Sequence, residues 1–250
     1  MNLSTKILIA LGLGIIAGLQ LGAEGAAFAK AWIGPLGTIF MNLIKMVIVP
    51  LVFSSLVMGV CGLGDVRKLG RVGLKTVALY LITTAFAIAL GIAFGVLVEP
   101  GAGLNMSTEG LKVTAKAAPP IMKVIIDIFP TNPLGAMVKA NMLQIILFAL
   151  FVGVGIVAVG EKAEALKNTI DGLAEVCYKM VGIIMSFAPI GVFGLITPVV
   201  AANGPAVLLP LLKVIICVYL GCLLHAIIVY GALVATLGKM SPMEFFRGVA

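Results

Sequence analysis

The sequence predicts an all-α integral membrane protein with six transmembrane helices, and three observations carry that prediction. Hydrophobic residues make up 62% of the 250 and charged residues only 11%, where a soluble domain carries ~25% charged residues; mean hydropathy is +1.23. The charges also cluster, leaving six charge-free runs of 17 to 33 residues: after Lys6, Lys45, Lys75, Lys139, Lys179 and Lys213. A spanning helix needs ~20 apolar residues, so each run holds one, the 33-residue run having room for a turn at Ala202-Asn203-Gly204-Pro205 as well. Finally, the runs do not alternate, which excludes the ~10-residue alternating strands of a membrane β-barrel.

The formal charge of +7 does not mark a nucleic-acid binder, because the basic residues fall between spans rather than on one soluble face. They report topology instead. The segment DVRKLGRVGLK sets Arg67, Lys68, Arg71 and Lys75 against Asp65 alone, which places it in the cytoplasm by the positive-inside rule. An even number of spans then puts both termini inside. At the N-terminus, Lys6, an apolar run and Ala27-Phe28-Ala29 loosely resemble a signal peptide. That apolar run is long for one, and Gly14, Gly18 and Gly22 have the spacing of a helix-packing face, so we read it as span one. The four cysteines, Cys61, Cys177, Cys217 and Cys222, form no CxxC pair and read as apolar filler.

Span two lies in residues 31–64, interrupted only by Lys45. Counting back from Asp65 sets Lys45 near the outer interface as a snorkelling lysine, and Pro50 predicts a kink. In span three, Thr76, Tyr80, Thr83 and Thr84 share one helical face, continued by Ala87, Gly91 and Gly95. Two uses fit such a stripe: helix packing with the hydroxyls bonded to their own backbone carbonyls, or a site for a hard cation that prefers oxygen ligands. Residues 99–120 read as an external loop. Asn132 followed by Pro133 is a helix start, with Asn141 and Gln144 one turn apart on the helix it opens. In 161–179, Ala163, Leu166, Ile170, Leu173 and Cys177 repeat at helical spacing, as in an amphipathic helix at the cytoplasmic surface.

Catalytic constellations are nearly absent. Cys217, Cys222 and His225 lack a zinc spacing, and His225 reads as a hydrogen-bonded membrane histidine. No acid pair lies within a span, so an intramembrane enzyme is excluded. Near the C-terminus, Ser241, Pro242 and Glu244 form a capping box with proline at the first helical position.

The segments MVIVPLVFSSLVMGV (46–60), LYLITTAFAIALG (79–91), FPTNPLGAMVKANMLQIILFAL (129–150), FAPIGVFG (187–194) and SPMEFFRGVA (241–250) resemble the dicarboxylate/amino acid:cation symporter family, the glutamate-transporter homologues. The resemblance runs the length of the chain, in order. It implies a homotrimeric, multi-pass transporter of a plasma membrane, the bacterial inner membrane, with a scaffold and a mobile transport domain in each subunit. By that likeness, residues 1–64 (spans one and two) and 99–204 (external loop, spans four and five, amphipathic helix) belong to the scaffold. Residues 65–98 (basic loop and span three) and 205–250 (span six and the lead-in to a re-entrant hairpin) belong to the transport domain. The resemblance further implies a small acidic amino acid or C4-dicarboxylate as substrate, Na⁺ or H⁺ as coupling ion and no other cofactor. It carries a partial sodium site onto Tyr80, Thr83 and Thr84. The family's serine-rich hairpin, its seventh helix with an Asn-Met-Asp-Gly-Thr core and its substrate-binding eighth helix have no counterpart in these 250 residues. The expectation is therefore symport by a longer protein; the alternative is a non-transporting trimeric scaffold or assembly partner.

Overall fold

The computed structural model describes residues 1–63, 66–101 and 120–249. Among them every regular element is helical, and four helical segments are long and apolar enough to cross a membrane: Leu3–Gly62, Ala78–Val98, Met142–Ser186 and Pro205–Thr236. The chain divides into two compact units, Met1–Arg71 with Thr108–Gly204, and Val72–Ser107 with Pro205–Ala250.

The first unit is built on α2 (Gly34–Leu63), which follows α1 (Leu3–Phe28) through a short π-helical stretch, Ala29–Ile33. Gly22 interrupts α1 with φ 57° and ψ −169°, a conformation open to glycine and strained for other residues. The chain reverses there. Gly14 abuts Phe193, Ile196 and Thr197, and Gly18 abuts Thr197 and Val200, so the first arm of α1 runs parallel to α8 (Ala188–Asn203). Along α2 the order is opposite: Gly34 meets Pro198, Gly37 meets Leu195 and Phe40 meets Gly191.

Below that contact α2 is flanked by α6 (Met142–Val159) and α7 (Glu164–Ser186). Phe53 stacks on Phe148 with ring centroids 5.7 Å apart, and Gly153 lies against Val57 and Val60; α6 therefore runs with α2. One core cluster joins Val57, Ala149, Ile156 and Ile170, and another joins Phe40, Val47, Cys177, Ile184 and Ala188. Since α7 passes from the first cluster to the second while α2 passes back, those two are antiparallel. Lipid tails are as apolar as leucine, so close approach of backbones, not burial from water, holds such helices together. This explains why Gly14, Gly18, Gly37, Gly153, Gly191 and Gly194 occupy the contacts.

Several expectations change here. Helical structure runs from just after Gly22 to Leu63, about 60 Å at 1.5 Å per residue and twice the ~30 Å hydrocarbon core. Lys45 is exposed on α2, between the buried Phe40 and Val47. Pro50 lies within α2, as expected, and the Ser54 hydroxyl donates to the Pro50 carbonyl at 2.7 Å. Gly14 and Gly18 do pack, but Gly22 is the reversal itself.

The span-four entry is also subdivided. Helix α4 (Ile121–Asp127) precedes α5 (Pro133–Val138), with Asn132 accepting from the Gly135 N–H at 3.0 Å and Pro133 at the first turn, as the sequence predicts. The helix does not continue into α6. Ala140 adopts φ 51°, and the amides of Ala140 and Asn141 bond to the carbonyls of Met137 and Ala136, closing α5 with a left-handed C-terminal turn. Asn141 then heads α6, while Gln144 donates to the Asp127 carbonyl at 2.7 Å, tying α6 back to α4. Asn132→Ala is expected to cost ~1 kcal/mol and to lower the thermal midpoint in detergent by about 2–4 °C; an unchanged midpoint would show the cap to be idle.

In α7, Ile170 and Cys177 are buried as their spacing suggests, joined by Ala174, but Leu166 and Leu173 are exposed. The face against α2 is rotated from the one the heptad-like spacing marks. Helix α8 ends at Asn203, and Gly204 at φ 66° leads into a 3-10 turn, Pro205–Val207, at the turn expected from Ala202-Asn203-Gly204-Pro205.

The second unit comprises α3 (Val66–Val98) beyond Val72, then α9 (Leu208–Leu224), a π-helical segment His225–Tyr230, α10 (Gly231–Thr236) and α11 (Pro242–Val249). The basic stretch expected as a loop is helical from Val66 onward; its Lys, Arg and Leu residues are good helix formers. Helix α11 begins at Pro242 as its capping signal predicts, with the Phe245 N–H bonded to the Ser241 carbonyl at 3.1 Å. The external loop expected at 99–120 lies mostly outside the described residues.

Candidate functional site

The hydroxyl stripe of span three sits in the middle of α3, where a continuous apolar helix fixes Tyr80, Thr83 and Thr84 at one-turn spacing. Their surroundings differ. Tyr80 is 67% exposed while Thr83 is only 8% exposed, and Thr84 is intermediate. The Thr83 hydroxyl donates to the Tyr80 carbonyl at 3.0 Å. This is the local back-bond that helix packing alone would produce, yet it spends only the hydroxyl proton. The two oxygen lone pairs of Thr83 remain available to accept, so the bond is compatible with a cation held from the same side. The side chain of Thr76 lies outside the described residues.

One turn further on, the small residues Ala87, Gly91 and Gly95 form one wall of a cavity of about 460 Å³; Cys217, Gly221 and His225 contribute to the facing wall. At Gly221 a β-carbon would come 3.8 Å from the Phe94 ring. Sequence reading singled out the α3 wall but not the other. The signal was present, since Cys217, Gly221 and His225 are four residues apart and share a helical face.

His225 lies in that wall. Its ring meets the Tyr230 ring edge-on with centroids 4.9 Å apart, and its buried Nδ1 has no hydrogen-bond partner among the described residues. The π-helical turn that starts at His225 widens the backbone there, a feature common at functional positions. Cys217, Cys222 and His225 do not assemble a metal site, and no group of three or more His, Cys, Asp or Glu residues suited to a metal occurs among the described residues.

A second cavity, of about 430 Å³, lies in the first unit at the α6–α7 connection, lined by Cys61, Ile156, Glu161, Glu164 and Lys167 among others. The Cys61 thiol points at the Gly153 carbonyl, 4.0 Å away, as a weak donor bridging α2 and α6.

Comparison with known proteins places the whole chain. The model of the sodium:dicarboxylate symporter family matches residues 3–250. The chain is 35% identical over 265 residues to the proton/glutamate-aspartate symporter of Escherichia coli (strain K12), covering 98% of this chain and 59% of that protein. It is 35% identical over 245 residues to the proton/sodium-glutamate symport protein of Geobacillus stearothermophilus, covering 95% and 58%. It is 33% identical over 253 residues to the C4-dicarboxylate transport protein of Anaeromyxobacter sp. (strain K), covering 98% and 56%. The chain thus spans somewhat over half the length of these relatives. The family and the first two relatives are named for symport and the third for transport, none for an enzymatic activity, and with residues 3–250 matched, this multi-pass helical membrane chain belongs to the sodium:dicarboxylate symporter family.

Proposed function

We propose that this chain is part of a secondary symporter that carries acidic amino acids or C4-dicarboxylates across the bacterial inner membrane, driven by Na⁺ or H⁺. The observation that carries the reading is the match across residues 3–250, shared with relatives named for glutamate, aspartate and C4-dicarboxylates. The chain crosses the membrane six times with both termini cytoplasmic. Six crossings are supported by the Gly22 reversal within the first apolar segment and by the opposed directions of α6 and α7 within the third.

Within each subunit of a homotrimer, spans one, two, four and five form the scaffold, and spans three and six belong to the moving carrier. The separation of α3 with α9–α11 from the remaining helices supports that assignment. The exposed apolar residues Val176, Ile183, Phe187 and Ile190 along α7 and α8 suit contact with lipid or a neighbouring subunit.

Tyr80, Thr83 and Thr84 contribute oxygens to the coupling-ion site. A hard cation needs more oxygen ligands than three side chains on one helix supply, so these three form only part of the site. Transporters of this kind gather substrate and ions at broken helices near the bilayer midplane.

The test is uptake by the full-length protein in proteoliposomes, with labelled glutamate, aspartate and succinate under imposed Na⁺ or proton gradients. Accumulation of at least one solute that stops when the driving gradient is collapsed is the expected result. Absence of gradient-driven uptake for all three would overturn the proposal.

A further inference from the structure

We draw no further inference here: the strongest candidate, the apolar cavity between α3 and α9 with the unpartnered Nδ1 of His225 in its wall, carries nothing because nothing in the structure shows what covers it.

Discussion

Gly194→Leu is expected to prevent α2 and α8 from closing on each other. A β-carbon at Gly194 would lie 2.5 Å from the Gly37 nitrogen and 3.0 Å from the Ile33 carbonyl oxygen. Both are backbone atoms, so no side chain can rotate away to make room; the helices themselves must move apart. Overpacking costs ~1–3 kcal/mol where side chains can adjust, and the cost here is expected at or beyond the upper end. The effect would spread, because α8 also holds the first arm of α1 through Gly14 and Gly18. The readout is the thermal midpoint and the monodisperse fraction in detergent. Gly182→Ala in α7 is the control: nothing lies within 4 Å of its β-carbon position, and alanine favours the helix by ~1 kcal/mol over glycine. A Gly194→Leu protein as stable as the parent would contradict the packing described for α2 and α8.

The second large effect concerns ion dependence. Where Na⁺ is the coupling ion, Thr83→Val in the full-length protein is expected to raise the Na⁺ concentration for half-maximal uptake about tenfold, and Tyr80→Phe to raise it less, since Tyr80 is 67% exposed and Thr83 only 8%. Loss of one hydrogen-bonding or ligating oxygen at a desolvated site costs ~1–3 kcal/mol, and ~1.4 kcal/mol is a factor of ten. Thr83→Ser keeps the hydroxyl and is expected to retain the parent's dependence. A structural role for Thr83 would instead lower stability without moving the ion curve. Unchanged Na⁺ dependence in both variants would remove these hydroxyls from the site and leave the bond to the Tyr80 backbone carbonyl as the role of the Thr83 hydroxyl.

Legibility in the sequence followed the range of the interactions involved. The cap at Asn132, the turn at Gly204 and the start of α11 at Pro242 were readable because one or two neighbouring residues decide them. The extension of helix from just after Gly22 to Leu63, well beyond one span, was not, because it depends on which helices lie against α2. Likewise Ala163, Leu166, Ile170, Leu173 and Cys177 marked an amphipathic face, but the position of α2 decided that Ala174 would be buried and Leu166 exposed. The glycine spacing at Gly14, Gly18 and Gly22 signalled close approach without saying that its last member would reverse the chain. For the candidate site, the α3 face was readable from hydroxyl and glycine spacing; the spacing of Cys217, Gly221 and His225 also marked one face, but only tertiary placement sets that face opposite α3.

The division of each subunit into a static scaffold and a moving carrier is tested most directly by distances between spin labels in the full-length protein. With Cys61, Cys177, Cys217 and Cys222 replaced, one pair of labels at Leu13 and Val176 lies within the first unit, and a second pair at Val176 and Tyr219 joins the two units; all three positions are exposed. Adding coupling ion and substrate is predicted to leave the first distance unchanged and to shift or broaden the second, as rigid-body transport requires. Two unchanging distances in protein that still accumulates substrate would contradict the division.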